Sequence, residues 1–201
     1  MSEMSQIVPV AELERRMRPG AYSSGGFLGP VESLESVIER DRQVLTKLGI
    51  SYERLADGLE KVLQSVLDKR KDLLEKNHRE YSKREGETPI PNLYRPVPVP
   101  GFSLDNLPDA ESGYTVEGHL QVFIAQYRGL QECPWKCEYE NWGGFDFLIL
   151  NQKSGEYVTG PGLIVHLIRK HRFFEGIESP YRVDPAKVVN VLQLIPETDS
   201  K

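Results

Sequence analysis

The chain has 201 residues, 39% of them hydrophobic and 27% charged, with a formal net charge of -5 and a pI near 5.5. An acidic balance argues against nucleic acid or anionic lipid as the main partner, and two cysteines are too few for a disulfide framework. The apolar runs fall far short of the ~20 residues that cross a bilayer. The first twenty residues carry Glu3, Glu12 and Glu14 and no apolar signal core, so the expected setting is the cytoplasm, with reduced thiols and no membrane partner.

Residues 1–30 read as a flexible arm. Ile7 to Met17 can form a short helix, which Arg18-Pro19-Gly20 breaks, and Tyr22-Ser23-Ser24-Gly25-Gly26 has turn and loop chemistry. Residues 31–84 read as a long helical hairpin. Leu34, Val37, Ile38, Val44, Leu45 and Leu48 fall at helical spacing, with Asp41 as the one polar gap on that stripe. Gly49 suits a C-cap and Ser51 the next N-cap, which predicts a sharp turn between the helices. Leu55, Leu59, Val62, Leu63, Val66 and Leu67 begin the stripe of the second helix, which continues through Leu73 and Leu74 to about Arg84. This helix is about twice the length of the first. Its distal stripe therefore needs another partner, either the C-terminal half or a second copy of the chain in a homodimer.

Residues 85–113 form a Pro-rich strap. Arg95-Pro96-Val97-Pro98-Val99-Pro100 must be extended, because proline fixes its own φ and biases the preceding residue away from helix. Residues 114–201 read as an α+β domain. Leu120, Val122 and Ile124 alternate with Gln121, Phe123 and Ala125, as expected of a strand, and Phe145 to Leu150 reads as a second strand apolar on both faces. Asn151 to Gly155 makes a hairpin turn into a short strand at Glu156-Tyr157-Val158. Thr159-Gly160-Pro161 is expected to open a helix running from Leu163 to about Arg172. Asp184-Pro185 signals a last helix, an N-cap followed by Pro at N1. The predicted class is α+β, with a hairpin and strap leading to a small antiparallel sheet covered by two helices.

Chemistry concentrates between Cys133 and His171. Cys133 and Cys137, a hairpin, then His166 and His171 on a helix repeat the order of parts in a Cys2His2 zinc finger. Thiolate and imidazole are good zinc ligands, and four of them close a structural site. The spacing is longer than a finger's: 28 residues separate Cys137 from His166. At 100° per residue, His166 and His171 lie about 140° apart. That places His171 near the centre of the buried stripe and His166 towards Arg169 and Lys170, unless the helix loosens near Phe173-Phe174. The four residues are the candidate ligands of a structural zinc ion.

Trp135, Tyr139 and Trp142, with Arg169, Lys170 and Arg172, mix aromatics with cations and form a candidate surface for a protein or peptide partner. The leading functional expectation is a non-enzymatic interaction or regulatory module. Two other expectations stand beside it. One is a small enzyme using Cys133 or Cys137 with His166 or His171 and Asp146. The other is nucleic-acid binding through Ser51 to Leu67 or the basic helix 163–172, which the net charge disfavours.

Overall fold

A computed structural model describes residues 8–81, 113–126, 131–137 and 144–197. The strap lies almost wholly outside the described residues. Nine elements follow in chain order: α1 (Val10–Met17), α2 (Leu34–Leu48), α3 (Tyr52–Tyr81), β1 (Tyr114–Val116), β2 (Leu120–Gln126), β3 (Phe145–Asn151), β4 (Tyr157–Pro161), α4 (Ile164–His171) and α5 (Pro185–Leu192). The class is α+β, with five helices and a four-stranded antiparallel sheet among the described residues.

The hairpin is built by the chemistry of its turn. Gly49 sits in the left-handed region at φ 64°, where its N–H closes onto Leu45 and Thr46 carbonyls. Ser51 Oγ then accepts the N–H of Arg54, capping α3. At the other end of α2, the first N–H is capped from a distance: Glu14 of α1 accepts the N–H of Leu34 at 2.8 Å. Residues 8–30 are thus not a free arm. Leu13, Met17, Phe27 and Leu28 are buried, and Met17 O accepts the N–H groups of both Phe27 and Leu28.

The sheet runs in the order β1-β2-β3-β4. Strand β1 carries no strong sequence signal. It exists because Glu117 and Gly118 both take positive φ, which turns the chain tightly back into β2. The pleat then sorts side chains. Val122, Ile124, Phe147, Ile149 and Val158 enter the main core, while Phe123, Ala125 and Leu148 form a second small cluster on the opposite face.

Residues 159–161 depart from the expected helix start. They extend β4, where Leu148 pairs with Thr159 and Asp146 with Pro161. β4 is an edge strand, so the missing N–H of Pro161 is tolerated there. The helix begins three residues later, at Ile164. Asp184 caps α5 as its sequence suggests, accepting the N–H of Lys187 with Pro185 at N1.

One core spans both halves of the chain. Helix α5 packs on β3, β4 and α2, α3 packs on α4, α5 and β1, and the buried cluster runs from Leu13 to Val191. Asp41, the polar gap on the α2 stripe, is fully buried and meets Arg182 from the opposite end of the chain. Buried Asn151 ties the β3–β4 turn to the same core. It donates to the carbonyl of Val191 and accepts from the N–H groups of Lys153 and Ser154.

Candidate metal centre

The segment 131–137 is shaped by a turn from Cys133 to Lys136. Pro134 occupies its second position, where a fixed φ suits the geometry, and the N–H of Lys136 donates to the carbonyl of Cys133 at 2.8 Å. Lys136 itself takes φ 56°, which bends the backbone so that the N–H groups of Trp135 and Cys137 point at the Cys133 sulfur. Donors aimed at a sulfur favour its thiolate. Cys133 is buried in the main core and Cys137 is half-buried beside it.

Helix α4 supplies the other two candidate ligands. Leu163, Ile164, Leu167 and Ile168 are buried and fix its orientation, and the helix ends at His171. Arg172 follows in the left-handed region, and the N–H of Phe173 reaches back to Leu167 O. His166 and His171 are both half-buried, and their rings approach edge-on with centroids 5.3 Å apart. The expected split into one core-facing and one surface histidine therefore gives way to two imidazoles on the same site. Their Cα positions diverge by 140°, but the side chains are long enough to converge.

The four side chains meet. One ligand atom from each of Cys133, Cys137, His166 and His171 lies within 4.8 Å of every other. Nε2 of His171 is 3.4 Å from Cys133 Sγ and 3.2 Å from Cys137 Sγ. A tetrahedral zinc site with bonds of about 2.0–2.3 Å separates its ligand atoms by about 3.3–3.8 Å. The arrangement thus needs only small adjustments to close on an ion.

Charge points the same way. Burial pushes the Cys133 thiol up to about 12, and the neighbouring Cys137 adds to the rise. Burial holds His171 down to about 4, helped by His166 and Lys170, and lowers His166 as well. Three of the four are therefore uncharged at pH 7, Cys133 as its thiol and both imidazoles neutral. A dication with two thiolates and two neutral imidazoles is neutral, so the pocket can exchange protons for a metal without burying net charge.

Trp135 completes the wall. Its indole lies flat on His171, ring centroids 3.9 Å apart, and meets Phe173 edge-on at 5.6 Å. Asp146 lies outside the quartet. Of the candidate partner surface, Arg169 is occupied by Asp57 and Glu60 of α3, while Lys170 and Arg172 are exposed. Arg172 also sits over the ring of Tyr52. Tyr139 and Trp142 fall outside the described residues.

No protein-family model, no curated protein and no solved structure matches this chain. Among the described residues, no helix is long and apolar enough to cross a membrane.

Proposed function

We propose that Cys133, Cys137, His166 and His171 hold one structural zinc ion, and that the chain is a non-enzymatic binding module of the cytoplasm. The convergence of four ligand atoms within 4.8 Å carries this reading. Two thiols and two imidazoles suit zinc over calcium or magnesium, which take oxygen ligands. Four protein ligands fill a tetrahedral shell and leave no position for substrate, so the ion would clamp the 131–137 turn to α4 and do no chemistry.

The same geometry weighs against a thiol enzyme. A nucleophilic cysteine needs a depressed pKa, and burial moves Cys133 the other way. It also weighs against reading DNA with α3, because Leu55, Ala56, Leu59, Val62, Leu63 and Val66 are spent on the core. The partner face we favour flanks the clamp, where half-buried Trp135 adjoins exposed Lys136, Lys170 and Arg172. That mixture fits an acidic segment of another protein.

Metal analysis of the purified full chain tests the central claim. About one equivalent of zinc is expected, falling below a tenth in Cys133→Ser and in His171→Ala. A wild-type protein prepared with zinc and found metal-free by the same analysis overturns it.

A further inference from the structure

A second cluster of ionisable groups lies away from the metal centre, where residues 25–32 rest on residues 175–182. Glu175 is its hub. It is fully buried, holds a strained non-glycine φ of 67°, and has a carboxyl oxygen, Oε1, with no hydrogen-bond partner among the described residues. Its other oxygen, Oε2, lies 2.6 Å from Ser179 Oγ, and that hydroxyl lies 3.0 Å from the carbonyl of Gly26.

Proton counting decides the chemistry. A serine hydroxyl has one hydrogen to donate, and a carbonyl can only accept. If Ser179 donates to Gly26, the short contact to Glu175 needs its proton from the carboxyl. The surrounding charges are divided: Arg182 favours the ionised carboxyl, and Asp146, the larger of the two, opposes it. The guanidinium of Arg182 gives two hydrogen bonds to Asp41 of α2, and reaches Glu175 only at its backbone carbonyl, at 2.6 Å. From β3, Asp146 presents a negative charge that opposes ionisation of Glu175. Tyr181 is pushed above its ordinary range by burial, then by Asp146 and Glu175, and the carboxylate of Glu32 faces the same seam.

We propose that the protonated carboxyl of Glu175 is a pH-controlled clasp, donating to Ser179, which in turn donates to Gly26, so that loss of this one proton releases residues 25–32 from residues 175–182. Two neighbouring bonds share the docking: the N–H of Gly176 donates to the Phe27 carbonyl, and the N–H of Ile177 to Glu32 Oε1, each at 2.7 Å. Ionised Glu175 would be a buried charge, and Ser179 would have to turn its hydroxyl from Gly26 to meet it. Release would uncover Phe27 and Leu28, which the closed form buries completely or nearly so.

The window follows from linkage. Burial, the largest cause, raises Glu175 in the folded state to about 8 from an ordinary 4.5. A group raised on folding contributes its stability in full below the unfolded value, and loses it as pH rises through the folded value. The clasp is therefore tightest below about pH 4.5, weaker at 6.5, and weaker again at pH 9, most of the last loss falling between 6.5 and 8.

Amide hydrogen exchange of the full chain, followed by mass spectrometry at pH 6.5 and 9 and corrected for intrinsic rates, reads it. In the wild type, opening of the peptides covering 18–32 and 175–182 should rise about thirtyfold, because one proton costs a decade per pH unit from 6.5 to the folded midpoint near 8 and nothing more above it. In Glu175→Gln, which keeps the shape but cannot ionise, those peptides should show no such rise. Equal change in both proteins, no change in either, or a rise spread evenly over α3 and the sheet would overturn the clasp. Should Glu175→Gln not fold, the 13C carboxyl resonance of Glu175 in the wild type decides: a midpoint below pH 6 rejects the proposal, and one above pH 7 supports it.

Discussion

Asp41 and Arg182 face each other fork to fork, Nη2 to Oδ1 at 2.5 Å and Nη1 to Oδ2 at 3.2 Å, across 141 residues of chain. The carboxyl is wholly buried, and desolvation raises its pKa despite the guanidinium beside it. A pair so placed contributes little over an apolar replacement, but breaking it strands a charge. Asp41→Ala should cost about 3–5 kcal/mol in urea denaturation. Asp41→Leu combined with Arg182→Met should recover most of that loss. A cost below about 1 kcal/mol for the single change would show that water reaches Arg182 and that the pair is not a core element.

Trp135 stacked on His171 makes the indole a reporter of the proposed metal centre. In a Trp142→Phe background, which leaves Trp135 as the sole tryptophan, adding zinc to chelated protein should shift the emission. Trp135→Ala should weaken zinc binding about 10–100-fold, the usual effect of removing a group that orients a ligand. Affinity within about twofold of wild type would mean that His171 is held by α4 alone.

Ligation and thiol reactivity should be mutually exclusive. With zinc bound, neither Cys133 nor Cys137 should react with a disulfide reagent within minutes. After chelation, half-buried Cys137 should react first and buried Cys133 more slowly. Two fast thiols in the zinc-treated protein would place the metal elsewhere.

The metal-free protein should be acid-sensitive. Burial lowers His171 to about 4 from an ordinary 6.5, so its contribution is present above 6.5 and is lost as pH falls towards 4. Urea midpoints of chelated wild type should drop between pH 7 and 4.5, and the drop should be smaller in His171→Phe. Equal drops would assign the acid sensitivity to other groups.

Gly160 tests the packing of the sheet against the C-terminal loop. A Cβ there would collide with Val183 Cγ2 and crowd the ring of Phe147. Gly160→Ala should destabilise by about 1–3 kcal/mol in the same urea assay. Gly118→Ala, in open space at φ 72°, should lose only the smaller backbone strain, on the order of 1 kcal/mol.

Local chemistry is legible where one residue decides a local outcome. Gly49 ends α2, Ser51 starts α3, and Asp184-Pro185 opens α5, each through a hydrogen bond within four residues. Thr159 to Pro161 reads wrongly as a helix start because Pro serves equally well at N1 and on an edge strand, and only pairing with Asp146 to Leu148 separates the two. Around the metal centre, the order of cysteines and histidines is plain in the sequence, but their meeting is not. Counting 100° per residue locates Cα positions and ignores the reach and rotamers of imidazoles. Least legible is the network of Glu175, Ser179, Arg182 and Asp41. The polar gap at Asp41 signals that a partner must exist, and nothing nearby in sequence says which.

Late segments of the described fold fasten early ones. The N–H of Glu197 donates to the carbonyl of Gly49, Glu197 also accepts from Ser51, and Gly176 and Ser179 hold Phe27 and Gly26. During synthesis the α2–α3 hairpin leaves the ribosome roughly a hundred residues before those fasteners exist. Its greasy stripe must wait uncovered for roughly 5–20 seconds at ordinary elongation rates, and the nascent chain is most exposed to chaperones and proteases in that interval.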